Sequence, residues 1–398
     1  MQQLEEFHKS LMSRTTDKWH RYLFDLLDWS PRLLGLKGLR GVGKTTMLLQ
    51  YAKFQFPEPE KSLYVTVDHP WFYENTLFQL AQDWSAAGGK LLLIDEIHKY
   101  ENWSRELKVI YDGFPDLKII FTSSSALEIF RGEADLSRRT IVRELHGMSF
   151  REYLHLFHGI SIEAVSLDDI LTNRDDIINE ILGKVKPLAH FSDYLKRGYF
   201  PFARNEQELY LEERIHQVIS AVLESDLTYI QDYSGQSVVN MKKLLGAVAQ
   251  SVPFQPNISK LAERLKMGRD TINQYLKAMG DARLLNLANK PGKGVTTLQK
   301  PDKIYFENTN MAYAMHIQPE IGAIRETFFF NQLRNAGHEV HLAQKADFLV
   351  DGKLTFEVGG KNKDASQIRG SKNAWLAKDG TEYASGNAIP LWLFGFLY

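Results

Sequence analysis

The stretch that decides the fold is "GLKGLRGVGKTTMLLQ", residues 35–50. Its residues from Gly38 to Thr45 fit the pattern G-x-x-x-x-G-K-[ST] in full. Glycine accepts backbone angles that other residues resist, so successive N–H groups in such a loop turn inward around an anion. Lys44 adds a point charge for the outer phosphates, and the Thr45 hydroxyl is a ligand for Mg²⁺. The stretch therefore predicts a phosphate-binding loop, the P-loop of a nucleoside-triphosphate site.

The sequence on either side of the loop supports this prediction. "RLLGL", 32–36, predicts a buried strand directly before the loop, and "TTMLLQYAKF", 45–54, predicts a helix directly after it. Such a helix directs its positive N-terminal end at a bound anion. We expect the nucleotide to contact residues of the loop and of the first helical turn, namely Gly38, Arg40, Gly41, Val42, Gly43, Lys44, Thr45 and Thr46.

A second motif is "KLLLIDEIHKY", residues 90–100. Four apolar residues followed by two carboxylates are typical of a buried parallel strand with acidic groups at its end. We expect Asp95 to lie beside the Mg²⁺ shell and Glu96 to polarise the attacking water as a general base. An acidic pair also suits an ordinary turn, but its position 51 residues after Lys44 favours the catalytic interpretation.

A third apolar run, "LKIIFTSSS" at 117–125, ends in hydroxyl side chains. In the AAA-type P-loop ATPases that this stretch resembles, a polar residue at the end of this strand senses the γ-phosphate, and Ser124 is the first choice for that role, with Thr122 second. The serines also suit the N-cap of a following helix, so both interpretations stay open.

The stretch "DLSRRTIVRELHGMSF", 135–150, offers Arg138, Arg139 and Arg143. One of them is a candidate arginine finger, a cation that stabilises charge on the transferred phosphoryl group and that a subunit can give to its neighbour. Surface arginines are common, so the alternative is an ordinary exposed side chain.

These runs together predict the first fold. With "SLYVTVDH" at 62–69, the predicted strands lie at 33–36, 62–69, 90–95, 117–123 and 140–145, with helices between them. Strands that alternate with helices predict an α/β fold with a parallel sheet.

Composition sets broad limits. At roughly 150 residues per domain, 398 residues suggest two or three domains, and a net charge of −1 restricts any nucleic-acid-binding surface to a local patch. The absence of cysteine excludes disulfides, thiolate zinc sites and cysteine catalysis. The charged N-terminal stretch lacks a signal peptide's apolar core, and no run approaches the about 18 apolar residues of a membrane span. We expect a cytoplasmic protein without membrane contact.

Beyond residue 150 the pattern is helical, and residues 151–240 suit a lid or connector. Residues 257–285 then predict a helix at 259–266, a turn at Met267-Gly268 and a second helix at 270–279. Residues 284–307 predict a β-hairpin, and the combination predicts a winged helix.

The winged-helix region is basic. Residues 257–303 hold ten lysines and arginines against four acidic residues. Duplex DNA is one candidate partner, because clustered cations bind phosphates; a structural lid or a protein contact is the alternative. The candidate DNA-binding residues are Lys260, Arg264, Lys266, Arg269, Lys277, Lys290 and Lys293.

The last segment begins with a predicted helix at 321–337, and three predicted strands follow it. Glu326, Asp347 and Glu357 are carboxylates on these elements, and such groups can hold Mg²⁺ for phosphodiester hydrolysis. Scattered surface acids on the remnant of a nuclease fold are the alternative.

In this order the chain resembles the prokaryotic AAA-type ATPases whose P-loop domain is followed by a domain of unknown function with a winged helix and a restriction-endonuclease-like C-terminus. The resemblance is carried by "GLRGVGKTT", "LLLIDEIHKY", "FTSSSALEI", "YLKRGYFPF", "TINQYLKAMGDARLL", "KIYFENTNMAYAM" and "KADFLV…FEVGGK". It implies a P-loop domain at 1–150 with an N-terminal helix at 1–30, a helical lid or connector at 151–240, a winged helix at 241–315 and an endonuclease-like α/β domain at 316–398.

The resemblance also implies ATP and Mg²⁺ as ligands and hydrolysis by Asp95 and Glu96. Arg139 aligns with the arginine of the group's Gly-Arg pair, whereas Arg138 replaces the glycine. The endonuclease-like fold uses a lysine two residues after its second strand carboxylate, and here that position is Gly359, with Lys361 two residues further on. We therefore expect no nuclease activity.

Three hypotheses follow for the whole chain. The first is a DNA-associated ATPase, the second a nucleotide-gated scaffold whose winged helix binds a protein, and the third an ATP-regulated nuclease, which Gly359 argues against. A homo-oligomer and a monomer with a closing lid both suit the sequence.

Overall fold

The computed structural model describes residues 1–123, 136, 138–228, 233–250, 253–292, 300–315, 318–364, 366 and 373–398. The chain forms two compact units, and each is assembled from two stretches of sequence. The first unit comprises Met1–His146 and Glu224–Ser234, and the second comprises Gly147–Leu223 and Gly235–Tyr398.

The first unit is built on a five-stranded parallel sheet. Its strands are β1 Leu33–Lys37, β2 Ser62–Thr66, β3 Leu91–Asp95, β4 Lys118–Ser123 and β5 Ile141–Glu144. They lie in the order β2-β3-β4-β1-β5. This confirms the predicted α/β fold with a parallel sheet. The inner strands are buried along almost their whole length, which is why they are nearly continuous apolar runs in the sequence.

Helices pack against the first sheet. They are α1 Gln2–Arg14, α2 Tyr22–Leu26, α3 Lys44–Gln50 (continued by π-helical Tyr51–Gln55), α4 Leu77–Ala86 and α5 Trp103–Gly113. Short 3-10 turns lie at Pro59–Lys61, Pro70–Tyr73 and Ile97–Lys99. Leu4, Leu80 and Leu107, from α1, α4 and α5, join a buried apolar cluster with residues of the strands. This cluster fixes one face of the sheet.

A buried histidine joins α1 to the sheet. The His8 Nδ1 atom accepts a hydrogen bond from the Tyr64 backbone N–H at 3.0 Å. Burial, assisted by the positive charge of Lys9, lowers the pKa of His8 from 6.5 to about 4. The folded state therefore binds fewer protons at His8 than the unfolded chain does. This contribution to stability is complete above pH 6.5 and is lost as the pH falls from 6.5 through 4.

We expect His8→Asn to remove that pH dependence, because an amide oxygen can accept the same hydrogen bond without titrating. Between pH 7 and 4 the wild type should lose about 3 kcal/mol more of its free energy of unfolding than the variant does. Urea denaturation of both proteins across this range measures the difference. Parallel stability curves would contradict the assignment.

The second unit is mainly helical in its first part. Its helices are α6 Phe150–His158, α7 Leu167–Thr172, α8 Arg174–Lys184, α9 Pro187–Arg197, α10 Glu208–Ala221, α11 Gly235–Ala249, α12 Ile258–Leu265, α13 Arg269–Asp281, α14 Thr309–Met315 and α15 Ile321–Asn335. Two 3-10 segments lie at Pro201–Arg204 and Leu391–Phe396, and a π-helical turn, Val222–Asp226, continues α10.

Two sheets complete the second unit. An antiparallel pair, β6 Leu285–Ala288 and β7 Lys303–Phe306, follows α13. The larger sheet consists of β8 Val340–Leu342, β9 Phe348–Val350, β10 Leu354–Gly359, β11 Ala374–Lys378 and β12 Ala388–Pro390. Strands β8, β9 and β10 pair antiparallel, whereas β10, β11 and β12 pair parallel. The sequence predicted the first three of these strands, and the structure adds β11 and β12.

In the part of the chain that the structure describes, no helix combines the length and the apolar character that crossing a membrane requires.

Candidate active site

The predicted P-loop connects β1 to α3 at the carboxyl end of the first sheet. Gly38 has a φ of +154°, and a Cβ atom there would lie 2.3 Å from the backbone oxygen of Leu145. Gly43, the residue before α3, has a φ of +102°. Both positions therefore require glycine, one because of a close backbone approach and the other because of its left-handed conformation.

Lys44 begins α3 and folds back over the loop. Its Nζ atom donates to the backbone oxygens of Gly38 at 2.7 Å and Leu39 at 3.1 Å. The side chain is buried, and burial lowers the pKa of the ammonium group, opposed by nearby carboxylates of which Glu96 is the foremost. The charge thus lies inside the loop, where backbone carbonyls hold it.

Asp95 is the centre of a hydroxyl cluster at the end of β3. Its Oδ2 accepts from the Thr45 hydroxyl at 2.6 Å and from the Tyr64 hydroxyl at 2.7 Å, and its Oδ1 accepts from the Thr122 hydroxyl. The sheet order places the ends of β2, β3 and β4 side by side, with β1 next to β4. Residues that are far apart in sequence meet there because the carboxyl ends of parallel strands share one edge of the sheet.

Glu96 directly follows the strand and has left-handed backbone, with a φ of +56°. Its N–H donates to the Thr122 hydroxyl at 3.0 Å. Its carboxylate faces three basic side chains, at 3.4 Å from Arg40, 3.7 Å from Lys99 and 3.8 Å from His98. A non-glycine residue in this conformation is strained, and such strain concentrates at functional sites.

Arg40, within the loop, links two carboxylates. Its Nη2 atom lies 3.0 Å from Asp226 Oδ1 and 3.4 Å from Glu96 Oε2. Burial acts to lower the pKa of Arg40, but the charges of Asp226 and Glu96 outweigh it, so the pKa is raised. Asp226 is fully buried and belongs to the second stretch of the first unit. Sequence analysis missed it, because "ESDL" within a helical run carries no signal of a site.

Arg21 supports the loop from the outside and was also missed. Its guanidinium donates to the backbone oxygens of Val42 and His146, the latter at 2.7 Å. The arginine is 3% exposed. Of the other predicted loop contacts, Gly41 and Thr46 lie at the surface. Arg21 therefore holds the loop at Val42, while Gly41 and Thr46 are exposed to solvent.

The predicted phosphate sensor Thr122 lies at the carboxyl end of β4, whereas Arg138 and Arg139 precede the amino end of β5. Ser124 is outside the described residues, whereas Thr122 is buried against Asp95. Arg139 forms a two-pronged ion pair with Asp112 of α5, with both N–O distances 3.0 Å. Arg138 is exposed.

Arg143, the third arginine considered, lies near the carboxyl end of β5. It is exposed on β5, and its guanidinium donates to the backbone oxygen of Val142 at 3.1 Å. Arg139 is therefore engaged within its own chain, while Arg138 and Arg143 project from the surface.

The basic residues of the predicted winged helix lie on α12, on α13 and beyond β6. Lys260, Arg264, Lys266, Arg269 and Lys290 are exposed. Arg264 donates to Gln250 at 3.0 Å, and Lys277 pairs with Asp281 on the same helix. Lys293 lies outside the described residues.

A polar cavity of about 450 Å³ lies beside this region. Lys290, Lys300 and Lys303 line it together with Asn257 and Asp347. The lining thus combines three lysines with two aspartates, Asp302 and Asp347, and Lys303 is half-buried and paired with Glu326.

Each of the three C-terminal carboxylates, Glu326, Asp347 and Glu357, has a hydrogen-bond or ion-pair partner of its own. Glu326 accepts from the Tyr305 hydroxyl at 2.7 Å, and Asp347 accepts from the Val358 N–H at 2.8 Å. Burial, followed by the charge of Asp347, raises the pKa of Glu326. In the described ranges, no three His, Cys, Asp or Glu side chains are arranged to hold a metal ion.

Glu357 is paired with a lysine that sequence analysis missed. The Lys363 Nζ atom lies 2.6 Å from Glu357 Oε1. A Cβ atom on Gly359 would lie 2.5 Å from the Lys363 side chain. The predicted motif lacks a lysine at 359, and the structure has the Lys363 side chain crossing that position instead.

These features define the class of the first unit. A glycine loop after the first strand, a lysine inside it, and a threonine bonded to an aspartate at the end of a parallel strand two places away in the sheet are those of a P-loop nucleoside-triphosphate-binding domain.

Comparison with known families agrees with this class. Residues 30–154 match the family described as an AAA domain, and residues 188–320 match a domain of unknown function (DUF8612). The first match spans the P-loop and the Asp95–Glu96 pair and supports an AAA-type ATPase. The second says nothing of activity.

Similar individual proteins are also found. An uncharacterized protein of Methanocaldococcus jannaschii is 29% identical over 318 residues, which cover 74% of this chain and 67% of that protein. The Walker-type ATPase of Pyrococcus abyssi superposes with a TM-score of 0.40 and 13% identity, over 72% of this chain and 91% of that one. AMPPCP-bound DnaA from Aquifex aeolicus gives 0.27 and 12%, over 70% and 88%.

Proposed function

We propose that this protein is a Mg²⁺-dependent ATPase of the AAA type whose nucleotide state controls the region of α12, α13 and the β6–β7 hairpin, and that this region binds duplex DNA. The observation that carries the ATPase part is the cluster of Lys44, Thr45, Asp95 and Glu96 at one edge of the parallel sheet.

Each member of the cluster has a distinct role in ATP binding. Lys44 is held at the loop by two carbonyl oxygens, and these weak partners can be exchanged for phosphate oxygens. Thr45 and Asp95 offer the hydroxyl and carboxylate oxygens that Mg²⁺ takes beside phosphates and water, so the donor set fits this ion. When bound, Mg²⁺ would neutralise charge that develops on the phosphates.

Glu96 is proposed as the general base for the attacking water. Its backbone is fixed by Thr122, so the carboxylate has a defined direction. Thr122 or Ser124 would sense the γ-phosphate, and Arg138 or Arg139 would act as the finger. Arg139 would have to leave Asp112 to do so, which makes the exposed Arg138 the simpler donor to a neighbouring subunit.

The order of elements supports DNA as the partner. Helices α12 and α13 are joined at Lys266–Gly268, and the β6–β7 pair follows directly. Phe254 forms an antiparallel bridge with Ile304 of β7, which adds an extended residue to this pair. Exposed cations on such a frame are arranged to contact phosphates.

The test is steady-state ATP hydrolysis with and without duplex DNA at low and moderate salt. We expect DNA to stimulate the rate several-fold and salt to weaken the effect. Neutralising Arg269 and Lys290 together should reduce the salt slope of DNA binding by about 2, roughly one for each lost phosphate contact.

The matched control is Lys196→Gln, an exposed lysine of α9 away from the hairpin region. It should behave as the wild type does. If duplex DNA neither binds nor changes the rate, the DNA part of the proposal fails and the ATPase part is unaffected.

A protein partner is the second candidate for the same region. It is favoured by the pairing of Lys277 with Asp281, which leaves α13 less basic than its sequence indicates. A rate of ATP hydrolysis that is unchanged by duplex DNA but changed by a protein would favour this second candidate.

A further inference from the structure

The position of Asp226 in the chain is unusual. Helix α10 runs into the π-helical turn Val222–Asp226, and Asp226 is the last residue of that turn. The chain up to Leu223 belongs to the second unit, the next residues to the first, and from Gly235 the chain belongs to the second again. The second unit's sequence thus supplies a short segment to the first unit, and the segment delivers one buried carboxylate to the P-loop.

Two basic side chains of the first unit, Arg40 and His98, lie close to this carboxylate. Arg40 is 3.0 Å away and His98 is 3.5 Å away. The Asp226 side chain is 1% exposed. A buried carboxylate is costly unless a cation compensates it, so the position of Asp226 depends on Arg40.

The same carboxylate lies near the phosphate end of the proposed site. Its charge acts on the Lys44 ammonium, where it favours the protonated form. The γ-phosphate of a nucleotide held by Lys44 would therefore meet two anions, Asp226 and Glu96, that already share the guanidinium of Arg40. Because Asp226, Glu96 and a γ-phosphate would all attract the one guanidinium of Arg40, a stronger ion pair with the phosphate would weaken the pairs with the carboxylates.

We infer that Asp226 competes with the γ-phosphate of ATP for the guanidinium of Arg40, and that ATP binding transfers Arg40 from Asp226 to the phosphate. This inference rests on the proposed function and deepens it. Loss of Arg40 removes the nearest cation from the buried Asp226 carboxylate, so the hold of the turn Val222–Asp226 on the P-loop weakens. The turn continues α10 along the chain, so the release reports γ-phosphate to the second unit. ADP has no γ-phosphate and does not cause the transfer.

The first test compares Asp226→Asn with Glu224→Gln, which changes an exposed carboxylate of the same turn. We expect Asp226→Asn to bind a non-hydrolysable ATP analogue about tenfold more tightly, because the competitor is gone. ADP affinity should change much less. Glu224→Gln should match the wild type. Fluorescence titration of both nucleotides measures the ratio of the two affinities.

A double-variant cycle isolates the role of Arg40. In an Arg40→Gln background, Asp226→Asn should no longer change the ratio of ATP-analogue to ADP affinity. If it changes the ratio as much as in the wild type, Asp226 does not act through Arg40 and the inference is wrong.

Hydrogen exchange tests the inference in the wild-type protein, so this measurement does not require any variant to fold. Amides of residues 222–228 should exchange several-fold faster with the ATP analogue bound than with ADP bound. Equal exchange in both states would overturn the inference even if ATP binds. A wild type that binds neither nucleotide would overturn the proposed function itself, so the two failures are distinguishable.

Discussion

Glu96→Gln will keep ATP binding and lose at least about a hundredfold in turnover, the usual contribution of a positioned general base. Glutamine has the shape of glutamate and can still lie beside Arg40, but it cannot accept the proton of the attacking water. The fixed N–H bond to Thr122 should keep the residue's backbone in place. Phosphate release under steady-state conditions gives the rate, and titration with ATP gives the affinity.

Glu101→Gln is the control for this prediction, because Glu101 is an exposed glutamate five residues further along. It should hydrolyse ATP at the wild-type rate. Turnover that survives in Glu96→Gln would mean that Glu96 serves only to hold Arg40 and Lys99, and that another group activates the water.

Lys44→Ala will weaken ATP binding by about a hundredfold or more, since it removes a charge-assisted contact to the outer phosphates. The change also removes a buried charge whose present partners are two backbone carbonyls. The loop should keep its path, because Gly38 packs against Leu145 and Val42 is bonded by Arg21. The loss should therefore appear in affinity, with the circular dichroism spectrum unchanged.

Lys18→Ala, at an exposed position of the first unit, provides the comparison for Lys44→Ala. It should bind ATP as the wild type does. Wild-type affinity in Lys44→Ala would remove the basis for placing the phosphates at this loop, and with it the proposed ATPase.

The parallel sheet was predictable because its inner strands β1, β3 and β4 are short apolar runs with polar ends. A strand that is buried on both faces is a nearly continuous apolar run in the sequence. The glycine loop indicated that a strand (β1) precedes it and a helix (α3) follows it. The strands β11 and β12 were not predicted. "AIP" is too short, and "AWLAK" is too close to glycine and charged residues, to be distinguished from loops.

The candidate site divides in the same way. Lys44, Thr45, Asp95 and Glu96 belong to local motifs whose spacing is visible in the sequence, and their roles stay predictions. Arg21 and Asp226 belong to no motif, because each reaches the loop from a distant part of the chain. An ion pair between residues 186 positions apart leaves no periodicity or spacing in a single sequence. Only the fold brings the two together.

The crossing of Lys363 over Gly359 has a consequence for the evolution of this C-terminal region. The glycine has no Cβ, and the space that a side chain would fill is taken by the methylene groups of the lysine. The two positions therefore cannot be substituted independently. Among homologues we expect glycine at 359 wherever a long basic side chain stands at 363, and a lysine at 359 to accompany glycine at 363, because the two Cβ atoms would otherwise lie 2.5 Å apart. A search that scores each position by itself would record a lost lysine, although the ammonium group still reaches the same glutamate.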